Sequence, residues 1–107
     1  MQFVKVQTED ICKLAVQLNG LSLEYVKNQT EEICKLAIIN NVWAFYHVRD
    51  QTEDICKIAV QRNGLTLEFV ESQTDEICKL AVKNDDLALY YVKNQTDEIC
   101  KLAIKIN

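Results

Sequence analysis

Apolar residues recur with a helical period along the whole chain. On a helical wheel, the apolar positions of residues 11–18 cover roughly 200° of the surface, against about 100° for an ordinary surface helix. A helix that is apolar over so much of its girth must contact neighbours on several sides. This pattern is typical of helices stacked in a repeat protein.

A second, shorter helical segment follows at residues 21–27. It is about two turns long and would not be stable in isolation, so we expect packing to hold it. Its inward positions on the wheel are Leu21, Leu23, Tyr25 and Val26, and its outward positions are Glu24 and Lys27. Between the two segments, Asn19-Gly20 predicts a left-handed residue that ends the first helix.

The two segments belong to a repeat of fixed length. The dipeptide Gln-Thr occurs at positions 7, 29, 51, 73 and 95, each 22 residues after the last, which indicates a repeat array. A 44-residue period lies over the first, because residues 7–30 resemble residues 51–74 more than they resemble residues 29–52. The predicted fold is all-α, a short α-solenoid of 22-residue helix-turn-helix repeats that pair into 44-residue units. Residues 1–107 would form one domain, with about five copies of the first helix and four full repeats.

Composition and charge exclude several classes of protein. The chain has 107 residues, of which 49% are hydrophobic and 26% charged, and its net charge is −4. Acidic residues alternate with lysines, and an acid precedes a lysine by four residues in every copy, which is typical of a solvated face and argues against nucleic-acid binding. We find neither an apolar run of about 18 residues nor the start of a signal peptide, so we expect no membrane partner and a cytoplasmic protein.

The residue before the last four Gln-Thr dipeptides is Asn, Asp or Ser, the types that favour a helix N-cap. An acid three residues later resembles a capping box, and Thr30 and its equivalents are alternative caps. Two of these sites are also glycosylation sequons, but Asp or Ser at the others favours capping. The predicted structural caps are Asn28, Asp50, Ser72 and Asn94.

The cysteines share one position in the repeat. Stacked helices lie about 8–10 Å apart, whereas a disulfide needs Cα atoms within about 7 Å. We therefore predict buried, unpaired thiols, with a thiol ladder for a soft metal as the alternative. The five are Cys12, Cys34, Cys56, Cys78 and Cys100.

No residue pattern indicates catalysis. A pair between His47 and Cys34 or Cys56 is conceivable, but the other three cysteines have the same surroundings and no histidine near them. Phosphate-binding loops, nucleophile elbows and zinc-ligand spacing do not occur. We predict no catalytic residue, no metal, no cofactor and a protein that is not an enzyme.

A few positions vary while the rest repeat. The second copy has Ile39 where others have Gln or Lys, and Trp43 and Phe45 where others have leucine. These residues form the predicted partner-binding surface: Ile39, Trp43, Tyr46, His47, Arg49 and Tyr90. The alternative is that Trp43 and Phe45 repack the core and Ile39 is a scattered surface residue.

The consensus QTEEICKLAVxxNGLxLEYVKN, read from Val4 to Asn107, resembles the short helical repeats of unknown function in giant amoeba-infecting viruses of the mimivirus group. The resemblance implies an α-helical array and a viral protein in the host-cell cytoplasm, and implies no catalytic residue or cofactor. The second copy departs from the consensus at NNVWAFYHV.

Two functions follow as hypotheses. The first is a non-enzymatic protein-protein interaction module that presents its variable positions to a protein partner. The second is a structural protein that self-associates, forming a homo-oligomer through the open ends of its stack.

Overall fold

The fold alternates α-helices with short 3-10 helices. A computed structural model describes residues 6–104, and no strand occurs among them, which confirms the all-α repeat fold. The α-helices are α1 (Glu9–Leu18), α2 (Glu31–Asn40), α3 (Glu53–Arg62), α4 (Asp75–Asn84) and α5 (Asp97–Ile104). The 3-10 helices are η1 (Gly20–Tyr25), η2 (Val42–His47), η3 (Gly64–Phe69) and η4 (Asp86–Tyr91).

The chain forms two compact units, with the boundary inside α3, between Ile55 and Cys56. In the first unit, α1 packs against α2, and η1 packs against α2 and η2. In the second unit, η3 and η4 pack against each other and against α4, and α4 packs against α5. Each unit thus contains a pair of unlike 22-residue copies. The single domain over residues 1–107 stays a prediction.

The core of each unit comes from the same repeat positions. In α2, the buried residues are Ile33, Cys34, Ala37 and Ile38, and in α4 they are Ile77, Cys78, Ala81 and Val82. Small Cys and Ala side chains at two of these four positions let neighbouring helices approach closely. The cores formed by α2 and α4 are therefore built from the same four repeat positions.

The short second segments are 3-10 helices, which changes which residues face inward. Leu23 and Val26, three residues apart, are buried as predicted, because positions i and i+3 eclipse in a 3-10 helix. Leu21 and Tyr25 are exposed, contrary to the α-helical wheel. The small residues that directly follow Leu21 and its equivalents are buried instead: Ser22, Ala44, Thr66 and Ala88.

The N-caps are threonines, so the prediction of Asn28, Asp50, Ser72 and Asn94 as caps is wrong. A cap must directly precede the first helical residue for its side chain to reach the free N–H groups. Asn28 lies three residues before Glu31, whereas Thr30 is adjacent to it and accepts a hydrogen bond from the Ile33 N–H. The Oγ1 atoms of Thr8, Thr30, Thr52, Thr74 and Thr96 each accept the N–H three residues on, at 3.2–3.3 Å.

The acids after each threonine occupy the first two helical positions, so the predicted capping box is also absent from the described helices that begin this way. In α2 these acids are Glu31 and Glu32, and the third position is Ile33. Negative charge at this end of a helix is stabilised by the helix dipole. The acids therefore support the helix start through their charge.

The turn after α1 does not use a left-handed residue. No residue in the described range has a positive φ, and Asn19 is extended, with φ −152°. The Asn19 Oδ1 atom accepts the Leu21 N–H at 3.1 Å and so caps η1. Gly20 is required for another reason, since a Cβ atom there would lie 2.4 Å from the Ala37 carbonyl oxygen of the next copy.

A contact that is repeated in both units explains this close approach. Asn40 Oδ1 accepts the Gly20 N–H at 2.7 Å, and Asn40 Nδ2 donates to the Gln17 carbonyl at 2.9 Å. In the second unit, Asn84 makes the same pair of bonds with Gly64 and Gln61 at the same distances. The first copy of each pair thus supplies a glycine and the second an asparagine, which accounts for the 44-residue period at these positions.

We expect Gly20→Ala to lower the free energy of unfolding by about 1–3 kcal/mol, because the added methyl group meets backbone and not a movable side chain. Chemical denaturation measures this. The matched control is Asp86→Ala, at the equivalent position of the fourth copy, where a side chain is already present; its effect should stay within about 0.5 kcal/mol. Equal stability of Gly20→Ala and the parent would contradict the account of the turn.

The glutamine of the Gln-Thr dipeptide closes its own copy in the first, second and fourth copies. Gln29 Oε1 accepts the Arg49 N–H at 3.0 Å, and Gln29 Nε2 donates to the His47 carbonyl at 2.9 Å and to the Leu23 carbonyl at 3.2 Å. The Cys34 thiol donates to the same Oε1 atom at 3.7 Å. All four hydrogen-bonding positions of this amide are therefore used. Gln7 and Gln73 make the same bonds to the turns 18 and 20 residues later.

Gln29→Leu should lower the free energy of unfolding by about 1–3 kcal/mol, since it leaves backbone groups of two turns without partners. Gln95→Leu is the matched control, because Gln95 is exposed and its amide donates to the Leu89 carbonyl, at 3.0 Å. Its effect should be smaller than that of Gln29→Leu in the same denaturation experiment. Equal losses in the two variants would show that closure of the turn contributes nothing.

Candidate functional site: an exposed aromatic face

The variable residues of the second copy meet at the end of α2 and along η2. Trp43 and Tyr46 are three residues apart in η2 and so lie on the same face of it. Both side chains are exposed, as is that of Ile39 near the end of α2. We call Ile39, Trp43 and Tyr46 the aromatic face. Phe45 is buried and so fills the core in place of leucine, whereas Trp43 is exposed and does not.

His47 supports the aromatic face from its edge. Its ring lies edge-on to Tyr46, with the ring centroids 5.6 Å apart and the planes at 81°. This T-shaped arrangement is one that aromatic pairs favour. His47 is half-buried, and its carbonyl accepts the Gln29 amide that closes the copy. The histidine thus links a constant closing bond to a variable surface.

Arg49 uses donors of its side chain inside the first unit. Its guanidinium Nη2 donates to the Lys27 carbonyl at 2.9 Å and also to the Val26 carbonyl. These bonds brace the turn that leaves η1, while the residue as a whole remains exposed. A contact of Arg49 with a partner stays a prediction, and a structural role accounts for its type.

The second unit carries a similar face on η4. Tyr90 and Leu87 are three residues apart and both are exposed, and Tyr90 lies edge-on to Tyr91 with ring centroids 5.7 Å apart. Sequence reasoning selected Tyr90 and missed Leu87, because leucine is the consensus residue at that position. The missed signal is that Leu87 stands three residues before an outward tyrosine, as Trp43 does.

Charged residues of the α-helices pair across copies. Lys13 lies 3.4 Å from Glu9, as predicted, and 3.1 Å from Glu32 of the next copy. The hydrogen bond to Glu32 is the first cause of a raised pKa for Lys13. Lys57 with Glu76 and Lys79 with Glu98 repeat the second contact at 3.1 and 3.0 Å. The negative charges of these glutamates are therefore balanced by lysines, which is typical of a solvated face.

Glu31 shows the same compensation, with one partner in its own copy and one in the next. Lys35 lies 3.0 Å from it, and the Thr52 hydroxyl donates to it at 3.0 Å. Both bonds favour the carboxylate, so they lower the pKa of Glu31, the lysine contributing most. This carboxyl group is not poised to act as an acid near neutral pH.

The five cysteines are unpaired, as predicted, and four of them are buried; Cys100 is only half-buried. Burial raises the pKa of the Cys34 thiol to about 11, with Arg49 acting weakly against it. Burial likewise raises the pKa of Cys12 and Cys78. A protonated, hydrogen-bonded thiol is a poor nucleophile and a poor metal ligand.

Two small grooves open beside the cysteines of the first unit. They have volumes of about 150 Å³ and about 210 Å³ and lie at equivalent positions of neighbouring copies. Each is lined by the closing glutamine, the cysteine and residues of the following turn. The lining side chains include Gln29, Cys34 and Arg49 in one groove and Gln7, Cys12 and Lys27 in the other. The glutamine amides, the thiols and the Arg49 guanidinium already bond to each other or to backbone.

Two general searches of the described residues gave negative results. No cluster of three or more His, Cys, Asp or Glu side chains suited to a metal ion occurs between residues 6 and 104. In the same range, no helix has the length and apolar character needed to cross a membrane.

Comparison with known proteins adds no assignment. No family model, curated protein or solved structure matches the chain. The resemblance to the mimivirus-group repeats therefore stays a prediction, and the geometry alone carries the functional argument.

Thiol reactivity tests the cysteine assignment. In the native protein we expect one fast-reacting thiol, Cys100, and four slow ones, and in denaturant five equal ones, because thiolate exposure controls the rate. A Cys100→Ser variant should lose the fast phase alone. Five fast thiols in the native state would contradict burial.

Three of these thiols predict a loss of stability at alkaline pH. Burial raises the pKa of Cys12, Cys34 and Cys78 in the folded state, to about 11 for Cys34 against an ordinary 9.0, so the unfolded chain releases these protons first as the pH rises. Their contribution is complete below pH 9 and is lost as the pH approaches 11. Denaturation midpoints measured across this window should fall less steeply for Cys34→Ala than for the parent.

Proposed function

We propose that the protein is a non-enzymatic interaction module that presents the aromatic face of its first unit to a protein partner. The observation that carries this proposal is the exposure of Trp43 and Tyr46 at positions where the first copy has other residue types. The first copy holds Leu21 and Glu24 there, in a 3-10 helix of the same length. Large exposed aromatic side chains beside an aliphatic one have the composition of a binding hot spot.

The surroundings of the aromatic face suit an apolar contact. Tyr46 is 67% exposed, yet the contact with His47 limits its rotation, so little conformational freedom would be lost on binding. The His47 ring adds a polar edge, which is the usual arrangement of an interface with an apolar centre. A partner that offers an apolar groove or an aromatic pocket fits this chemistry.

The repeated chemistry of the chain supports a non-enzymatic role. Cysteines with a raised pKa, carboxylates bonded to lysines and glutamines saturated by backbone groups have structural explanations in copy after copy. An active site needs groups whose properties differ from those of their equivalents. The described residues that differ most from their equivalents are aromatic, not acidic or nucleophilic.

We also propose a cytoplasmic location. Unpaired cysteines in each copy fit a reducing compartment, where thiols persist. If the viral resemblance is correct, this compartment is the host-cell cytoplasm.

The test compares two immobilised proteins by the partner proteins that each retains. One is the parent, and the other is a variant whose second copy carries the residues of the first. Its substitutions are Ile39→Gln, Trp43→Leu and Tyr46→Glu. A matched control changes three exposed residues elsewhere: Glu24→Gln, Glu68→Gln and Lys83→Gln. We expect a protein retained by the parent and the control and lost by the first variant. Binding of that purified protein should shift the Trp43 emission to shorter wavelength, since Trp43 is the single tryptophan.

Retention of the same proteins by the parent and by the aromatic-face variant would overturn the proposal. An unchanged Trp43 emission on adding a saturating amount of the purified protein would do so as well. Circular dichroism of both variants separates loss of binding from loss of fold, and we expect no change because every altered side chain is exposed.

A further inference from the structure

One position of the repeat shows which helix face packs against the preceding copy. Ile33, Ile77 and Ile99 are at most 1% exposed, but Ile11 at the same position of α1 is 39% exposed. Leu14 is likewise exposed, while its equivalents Leu36 and Leu80 are partly covered. Leu18 is exposed where α2 has Asn40, the residue that reaches back to the preceding copy. We call Ile11, Leu14 and Leu18 the head face.

A second position shows which face packs against the following copy. Val16, Ile38 and Val82 have no exposed surface, but Ile104 at the same position of α5 is 68% exposed. Cys100 is half-buried, whereas the other four cysteines are buried. We call Cys100 and Ile104 the tail face.

The junction between α1 and α2 shows how a tail-type face and a head-type face fit together. The following face of α1, with Cys12 and Val16, is buried, and so is Ile33 on the preceding face of α2. A lysine-acid pair flanks the apolar contact, with Lys13 lying 3.1 Å from Glu32. The junction between α4 and α5 repeats this arrangement, with Val82 and Ile99 buried and Lys79 3.0 Å from Glu98.

We propose that a second copy of this chain docks its head face on the tail face, as one α-helix packs on the next inside each unit. The two exposed faces have the residue types of the internal junction: Ile11 replaces Ile33, and Ile104 replaces Val16. The charges also match, because Lys101 is exposed on α5 and Asp10, also exposed, stands in α1 where α2 has Glu32. A lysine-acid pair would thus form across the contact.

This contact joins two different surfaces, so it is heterologous and each added copy presents a new head or tail. Assembly should therefore grow with concentration, either as an open series or until it closes into a ring. The contact is independent of the aromatic face, whose residues it does not use. Loss of one interaction would leave the other intact, so the two proposals fail separately.

Paired blocking variants test the contact by sedimentation of the 107-residue chain. Leu14→Lys blocks the head face and Ile104→Lys blocks the tail face, and both sites are exposed, so the fold should be retained. We expect the mass of the parent to rise with concentration beyond twice its monomer value of 12.3 kDa. Each variant alone should remain a monomer. An equimolar mixture should stop at two chains, one unblocked tail bound to one unblocked head.

The control is Lys83→Glu, an exposed substitution in α4 outside both faces, which should assemble as the parent does. A parent that stays at 12.3 kDa to millimolar concentration would overturn the proposal. So would a variant that dimerises alone, because that outcome requires head-to-head or tail-to-tail contact. If Lys83→Glu prevented assembly, the contact would lie elsewhere, and this result would also reject the proposal.

Discussion

The end of a 22-residue copy lies against its beginning, and a single glutamine amide holds the two together. The Gln29 side chain bonds to backbone groups 18 and 20 residues later, where the next copy begins. Between residues 6 and 104 there is no sheet and no helix longer than ten residues, so backbone partners are few at such a point, and unpaired buried backbone groups are costly. The cysteine follows from the glutamine, because its thiol fills the last acceptor site and a larger side chain would displace the amide. The Gln-Thr dipeptide thus holds two structural roles, closure and capping, in adjacent residues.

The 44-residue period has a separate physical cause. Closure by glutamine is the same in odd and even copies, so it can produce only a 22-residue period. The close approach of Gly20 to Ala37 and its bond to Asn40 require unlike partners, one without a Cβ atom and one with an amide. Alternation of the two therefore distinguishes odd from even copies. Val42 and Asp86, at the glycine position of the even copies, show that the constraint applies to one member of each pair.

Periodicity predicted the helical repeat, the five α-helices and the buried, unpaired cysteines, because each depends on which side chains face inward. It placed the caps at Asn28 and its equivalents, two residues too early, since composition alone does not show where a helix begins. The 3-10 form of the second segment was not predicted, because 3.0 and 3.6 residues per turn differ little over six residues. For the aromatic face, the variable letters identified Trp43 and Tyr46, whereas only coordinates could show Arg49 bonded to the Val26 and Lys27 carbonyls. The sequence pattern marks the position of Gln29 but does not indicate its role, because its partners lie about twenty residues away.

The 44-residue alternation occurs both in backbone packing and on the surface. At the position of Gly20 the alternation follows from a clash with backbone. At the outward position of the 3-10 helices the chain reads Glu24, Tyr46, Glu68 and Tyr90, and all four residues are exposed. Each tyrosine lies edge-on to the next aromatic ring, His47 or Tyr91, yet glutamate occupies the same place in a 3-10 helix of identical length. The 3-10 helix therefore forms with either residue type, and we propose that the tyrosines contribute to binding a partner.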